Sequence, residues 1–112
     1  MKDLDQNIAA ATAMGWKGIE KSHIGIIGFK LNPDLPSLIP LCTTDANAAL
    51  KFAEWLGKEK KFAIGFEYLE GLWWGGFLST ANSDAFEAKA PTFSAAVTEA
   101  GLRALGLWED GK

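Results

Sequence analysis

Residues 61–90 read KFAIGFEYLEGLWWGGFLSTANSDAFEAKA and decide the fold, because three strand-like segments alternate there with two turn sequences. The first segment alternates large apolar residues with small or polar ones, and this period of two predicts a strand with one buried face: Phe62, Ile64, Phe66 and Tyr68. Glu70-Gly71 is a favourable pair for a tight turn, and Ala81–Asp84 form the second turn. Strands joined by such short turns run antiparallel, so the segment predicts a three-stranded meander.

Two amphipathic helices are predicted next to this meander. The helix over 44–59 has Thr44 or Asp45 as its N-cap and an apolar stripe at spacing i, i+3, i+4 and i+7: Ala49, Phe52, Ala53 and Leu56. The helix over 92–106 has Thr92 as its N-cap. Its many alanines would allow a neighbouring element to approach closely.

The first 43 residues are less regular. A short helix is predicted over 1–15, capped by Asp3 or Asp5, with its apolar positions at Leu4, Ile8 and Ala11. Residues 16–43 contain two β-rich pieces around a polar stretch at Lys21–His23, which predicts either a hairpin or an irregular flap. A connection with three prolines follows, and proline favours extended backbone there: Pro33, Pro36 and Pro40.

This order of elements predicts a single domain over 1–112 of the α+β class, with helices layered on an antiparallel sheet. The length of 112 residues and the hydrophobic fraction of 48% suit one packed core. The 11 basic residues against 14 acidic ones argue against binding of duplex nucleic acid, which normally needs a basic excess.

Cysteine usage and hydropathy indicate a cytoplasmic protein. Cys42 is the only cysteine, so an intrachain disulfide and a cysteine metal cluster are both excluded. No stretch approaches the ~20 apolar residues of a membrane span, and the N-terminal residues do not form a secretory signal. We therefore expect no membrane association.

Three stretches, taken in order, resemble the phage ABA sandwich domain family of small bacteriophage and prophage proteins. They are IAAATAMGWK at 8–17, PDLPSLIPLCTTDANAALKFAEWL at 33–56, and WWGGF at 73–77 followed by EAKAPTFSAAVTEAGLRALG. The resemblance implies a layered α/β/α sandwich and a phage or prophage origin. It implies no activity, cofactor or catalytic residue, and the matching positions look architectural: Trp16, Thr44, Asp45, Trp73 and Phe77.

Few residues offer catalytic chemistry. His23 is the only histidine and is expected on an exposed loop, while Cys42 is expected to be a buried thiol. Glu67 and Glu87 could oppose each other on neighbouring strands as paired acids, although solvent-facing charges are the commoner explanation. No metal-ligand spacing is present, so neither a metal nor a cofactor is predicted.

The tryptophans are the most informative residues for binding. Trp73 and Trp74 are adjacent on one strand and must point to opposite faces of the sheet. One belongs to the core, and the other is either covered by another layer or forms an aromatic platform beside Gly75 and Gly76. Those two glycines permit a close backbone approach, either by a neighbouring strand or by a ligand. The candidate binding residues are Trp73, Trp74, Trp16, Trp108 in a tail that can fold back, and Arg103 as the sole arginine.

These observations predict a non-enzymatic phage or prophage accessory protein of the host bacterial cytoplasm that acts by binding. It would counter host defence by sequestering a small nucleotide-type signal or by blocking a host protein. Two alternatives remain open. One is a small hydrolase or transferase that uses His23 with Cys42 or a carboxylate, and the other is a structural homo-oligomeric module.

Overall fold

Three helices and two three-stranded antiparallel sheets make up the part of the protein that the structure describes. The structure, a computed structural model, describes residues 1–22, 25–29 and 37–110. The elements in chain order are α1 (Asp3–Ala13), β1 (Lys17–Ser22), β2 (Gly25–Phe29), β3 (Ser37–Leu38), α2 (Ala46–Glu59), β4 (Phe62–Leu69), β5 (Leu72–Ser79), β6 (Ala85–Ala90) and α3 (Phe93–Ala104). The predicted α+β class, with an antiparallel meander packed by amphipathic helices, is confirmed.

Strands β4, β5 and β6 form the predicted meander. Glu70 and Gly71 both have positive φ, at 54° and 83°, as a two-residue hairpin turn of type I′ requires. The pairing of β4 with β5 is unbroken from Phe62↔Ser79 to Leu69↔Leu72, and β5 pairs with β6 in the same regular way.

The main core lies between this meander and helices α2 and α3. The predicted stripe of α2 is confirmed, because Ala49, Phe52, Ala53 and Leu56 are completely buried. Helix α3 approaches α2 closely at Gly101, where a Cβ would lie only 2.6 Å from Cε2 of Phe52. The small residues of α3 therefore permit the close approach that the sequence predicted.

The predicted buried face of β4 is only partly correct. Phe62 packs against the core, but Ile64, Phe66 and Tyr68 remain 38%, 43% and 60% exposed. The four side chains share one face, as the period of two requires. Helix α3 packs on β5 and β6, and α2 reaches only one end of β4, so most of this strand extends beyond the helical layer.

The caps of α2 and α3 are those predicted. The carboxylate of Asp45 accepts hydrogen bonds from the backbone N–H groups of Asn47 and Ala48, so Asp45 rather than Thr44 is the cap of α2. The hydroxyl of Thr92 accepts from the N–H of Ala95 at 3.1 Å. Both bonds satisfy donors that the first helical turn leaves free.

The predicted cap of α1 is wrong. Lys2 occupies the N-cap position, and no side-chain bond caps this helix within the described residues. Asp3 and Asp5 lie inside the first turn instead, where a negative charge favours the positive end of the helix dipole.

The buried face of α1 also differs from the predicted apolar side. Leu4 is 43% exposed, whereas Gln6 and Asn7 are buried together with Ala10 and Ala11. The physical reason is a pair of hydrogen bonds between Asn7 and Thr43, which are 36 positions apart in the sequence. The amide of Asn7 donates to Oγ1 of Thr43 at 3.2 Å and accepts from the N–H of Thr43 at 3.0 Å, and this orients the helix.

The hairpin alternative for the region after α1 is confirmed. Strands β1 and β2 pair antiparallel, and β3 joins the other side of β2. Trp16 and Ile39 form a second small core with Ala11, on the side of α1 that faces this sheet. The hairpin tip with His23, and Pro33 and Pro36 of the connection, lie outside the described residues.

The helices separate the two sheets. Helix α3 contacts β5, β6 and α2, while α1 contacts α3 on one side and β1 on the other. Over residues 1–22, 25–29 and 37–110, no element packs on the face of the meander that points away from the helices. None of the helices in this part of the chain has the length and apolar composition needed to cross a membrane.

Candidate functional site

The candidate site lies on the uncovered side of the meander, here called the open face. Gly75 faces the helices, because a Cβ at this position would lie 3.1 Å from the carbonyl oxygen of Ala96. Its neighbours Trp74 and Gly76 must therefore point to the open face. The strand registers arrange the open face in three rows across β4, β5 and β6: Ala63–Leu78–Ala85, Gly65–Gly76–Glu87 and Glu67–Trp74–Lys89.

The middle row contains a gap without side chains, which we call the glycine slot. Gly65 and Gly76 are direct partners in the β4–β5 register. A Cβ at Gly65 would meet no atom of the described residues within 4 Å, and one at Gly76 would meet none closer than 3.9 Å. The slot is flanked along β5 by Trp74 and Leu78, whose Cα atoms are about 13 Å apart on an extended strand.

The slot is part of a shallow, mainly apolar groove of about 540 Å³. Glu87 lies at one end of the middle row, and the other end opens at the free edge of β4. The floor of the groove at Gly65 and Gly76 is backbone without side chains, which leaves room for a planar group to lie against the sheet.

The two adjacent glycines of β5 serve different purposes. Gly75 allows α3 to approach the sheet, and a side chain there would collide with helix backbone at Ala96 and Val97. Gly76 keeps the open face free. The sequence predicted a close approach by a neighbouring strand or by a ligand at this glycine pair. At Gly75 the close neighbour is helix α3 rather than a strand, and the ligand alternative stays a prediction for Gly76.

Trp73 and Trp74 point to opposite faces, as predicted. The ring of Trp73 packs on the helix side against Phe93, at 5.5 Å between centroids, and against Tyr68 at 5.3 Å. Trp74 is half-buried on the open face, where Nζ of Lys89 lies 5.1 Å from its ring centroid. The indole of Trp74 therefore already attracts a cation.

Glu67 and Glu87 are both exposed, as the favoured solvent-facing explanation predicted, and they do not oppose each other as paired acids. Glu67 lies on β4 and Glu87 on β6, with β5 between them, because the meander places its first and third strands at opposite edges. Both carboxylates nevertheless border the groove. The three rows of the open face contain two negative charges, Glu67 and Glu87, and one positive charge, Lys89. The rim of the groove, formed by these three residues, therefore carries a net negative charge.

Arg103 and Trp108 lie together beside β6, where they line a second cavity of about 490 Å³ that borders the groove at Glu87. The guanidinium donates to Glu99 at 2.9 Å and to Asp110 at 3.2 Å, and it lies 5.1 Å from the Trp108 ring centroid. The indole N–H of Trp108 donates to the same Asp110 carboxylate at 2.8 Å. The tail does fold back on α3, and two carboxylates already balance the charge of Arg103.

Trp16 is buried in the second small core, with 9% of its surface exposed. Its backbone N–H donates to the carbonyl of Ala11, which anchors the turn after α1. The indole N–H has no hydrogen-bond partner among the described residues. A ligand cannot stack on this ring without opening the core, so its position is architectural.

Cys42 is the buried thiol that the sequence predicted. It is completely buried, and its Sγ lies 3.7 Å from the carbonyl oxygen of Ala48. Burial, helped by the nearby charge of Asp45, raises the pKa of the thiol from 9.0 to about 11, so the nucleophilic thiolate is scarce at neutral pH. The pairing of Cys42 with His23 stays a prediction, since His23 lies outside the described residues.

Within the described ranges, no group of three or more His, Cys, Asp and Glu side chains is arranged to hold a metal ion.

Gly65 and Leu78 were not predicted from the sequence as parts of a site. A signal was present, because a two-residue turn at Glu70-Gly71 pairs Leu69 with Leu72 and therefore Gly65 with Gly76. That the paired glycines lie on an uncovered face, however, depends on where the helices pack.

No model of a known protein family matches the chain, and no curated protein sequence matches it. The resemblance to the phage ABA sandwich family stays a prediction.

Proposed function

We propose that the protein is a non-enzymatic binding protein, and that it holds a flat, ring-containing small molecule in the glycine slot. The observation that carries this proposal is the direct pairing of Gly65 with Gly76 on an open sheet face beside Trp74. Strand interiors rarely favour glycine, since it weakens a strand unless something must approach the backbone closely.

The walls of the slot suit an aromatic ring. A ring laid on the glycine backbone would contact the indole of Trp74 on one side and Leu78 on the other, and an aromatic pair contributes about 0.5–1.5 kcal/mol beyond the burial of its area. The groove is open to solvent along its length, so the ligand would keep its polar substituents hydrated.

The rim charges select among ring-containing ligands. Glu67 and Glu87 would repel a phosphate group, and Lys89 is the one cation of the three rows. Arg103, the phosphate anchor considered from the sequence, is engaged with Glu99 and Asp110. A neutral or cationic nucleoside-type ligand therefore fits the slot better than a highly phosphorylated nucleotide.

Sequestering such a molecule would match the accessory phage role proposed from the resemblance, since a binding protein needs no catalytic group. A second candidate is the blocking of a host protein. It is favoured by Leu69 and Leu78, which are 54% and 45% exposed on the same open face.

Calorimetric titration with adenosine, guanosine, ADP-ribose and a cyclic dinucleotide tests the proposal. We expect saturable binding of the nucleosides, and binding of the phosphorylated compounds that is weaker and improves with salt, because salt screens the repulsion by Glu67 and Glu87.

The matched variants are Gly76→Val and Ala81→Val. The first fills the slot at a position with room for a Cβ, and we expect it to weaken nucleoside binding at least about tenfold while leaving the melting temperature nearly unchanged. The second adds a branched side chain in the exposed turn after β5 and should bind normally. Absence of binding by every compound, or equal binding by Gly76→Val, would contradict the small-molecule proposal.

A further inference from the structure

Strand β4 is a free edge of the meander, and backbone N–H and C=O groups along it are available for pairing with another strand. The N–H of Thr80 on the β5 side donates to the carbonyl of Lys61 at 3.1 Å. The backbone C=O of Lys61 therefore points toward β5. Backbone N–H and C=O groups of successive residues point to opposite sides of a strand, so those of residues 62, 64, 66 and 68 point away from β5. No strand pairs with this edge in the described part of the chain.

This edge lacks the usual protection against pairing with another strand. Natural edge strands are often protected by charged side chains, proline or a bulge. Within FAIGFEYL of β4 the single charge is Glu67, no proline is present, and the pairing with β5 is unbroken. The exposed side chains along the edge are large and apolar: Ile64, Phe66 and Tyr68. Phe66 is already held by Phe93, with ring centroids 4.9 Å apart, so little side-chain freedom remains to be lost on association.

One end of the strand is partly covered. A Cβ at Gly57 of α2 would lie 3.4 Å from the carbonyl oxygen of Phe62, so the helix end reaches this position. The accessible edge therefore runs from Ile64 to Tyr68, with Phe66 at its centre.

The charges at the two ends of β4 are opposite. Lys60 and Lys61 precede the strand, whereas Glu67 and Glu70 lie at its C-terminal end. Antiparallel pairing with a second copy places the basic end of each strand beside the acidic end of the other, while parallel pairing places like charges together. The edge is therefore complementary to itself in the antiparallel direction only.

We propose that β4 pairs antiparallel with β4 of a second copy about a two-fold axis at Phe66, which joins the two meanders into one six-stranded sheet. In this register Phe66 faces Phe66 of the second copy, and Ile64 faces Tyr68 of the second copy. Glu67 lies opposite Gly65 of the second copy, at the open end of its glycine slot, so no like charges oppose each other directly. The proposal does not depend on a ligand in the slot.

Sedimentation of the unmodified chain from low to high micromolar concentration tests the dimer. We expect a species of twice the 12.1 kDa chain mass at high concentration. Phe66→Lys places a charge at the centre of the edge and should give a monomer. Leu107→Lys, at a similarly exposed position in the tail beside β6, is the matched control and should remain a dimer.

A charge exchange tests the antiparallel direction. Lys61→Glu and Glu70→Lys should each weaken association roughly tenfold, since both symmetric contacts become repulsive. The double variant restores opposite charges and should restore the dimer. Circular dichroism confirms that each variant is folded.

Three results would overturn the proposal: a monomer at every concentration, a dimer that survives Phe66→Lys, or a folded double variant that does not regain association. Because all measurements are made without ligand, they are independent of the outcome of the nucleoside titrations.

Discussion

Cys42 lies just before the cap of α2, with its thiol directed at the carbonyl of Ala48 and its own carbonyl accepting a hydrogen bond from Thr98 at 2.8 Å. At the scale of single residues, this environment decides that the thiol is structural. The same residue type beside a cation at an exposed helix N-terminus would be reactive. Its sequence neighbours Thr43, Thr44 and Asp45 do not distinguish these cases, because its burial comes from a core that residues of α1, α2 and α3 build together.

The raised pKa of Cys42 makes stability depend on pH in the alkaline range. The thiol loses its proton near pH 9 in the unfolded chain but only near pH 11 in the folded protein. The stability that the buried thiol contributes is therefore fully present below pH 9 and falls as the pH rises from 9 to 11. Two pKa units correspond to roughly 3 kcal/mol. Urea unfolding at pH 8 to 11 should therefore show that the stability advantage of the wild type over Cys42→Ala shrinks with pH.

Other groups titrate in this range, and the variant corrects for them because it differs only at the thiol. Parallel stability profiles for the two proteins would contradict the prediction.

At the scale of elements, most of the secondary structure follows from local patterns. The stripe of α2, the caps Asp45 and Thr92, and the turn at Glu70-Gly71 all appear where the sequence predicts them, because each depends on residues within one or two turns of chain. Strand β4 is predicted correctly as a strand but not as buried. Whether its apolar face is covered depends on where α2 and α3 pack, which its period does not specify.

Gly75 and Gly76 provide a matched test of how α3 packs on the meander. Gly75→Ala should lower the free energy of unfolding by about 1–3 kcal/mol, because the new methyl group would press on the backbone of Ala96 and Val97 at 3.1 Å. Gly76→Ala should be neutral or slightly stabilising, because the position has room and alanine restricts the unfolded chain. Chemical denaturation of both variants measures the difference, and equal effects would refute this assignment of faces.

At the scale of the whole molecule, contacts between distant residues set the layers. The reciprocal hydrogen bonds between Asn7 and Thr43 join α1 to the approach of α2, and Thr98 joins α3 to the same segment through the carbonyl of Cys42. All of these groups are buried, so an unpaired partner would carry the full cost of desolvation. The short segment before α2 is therefore the point where α1 and α3 are held together.

Asn7→Ala tests this connection. The variant leaves the buried N–H and hydroxyl of Thr43 without their partner, and we expect a loss of roughly 1–3 kcal/mol in the free energy of unfolding. Amide hydrogen exchange should increase most in α1, which this pair docks. Asn47→Ala, at an exposed position of α2, is the control and should change stability by less than about 0.5 kcal/mol. An equal effect of the two variants would show that the Asn7 contact is not important.

By itself, the sequence determined the helices, the meander and the opposite orientation of Trp73 and Trp74, because periodicity, caps and short turns act over a few residues. Only the tertiary structure decided which tryptophan meets the helices, which glycine is covered, and which face of the meander stays open. Those outcomes arise from contacts across tens of residues, such as α3 against Gly75, and a local pattern is compatible with more than one such arrangement. The glycine slot exists because β4 and β5 pair in register and the helices pack on their other side.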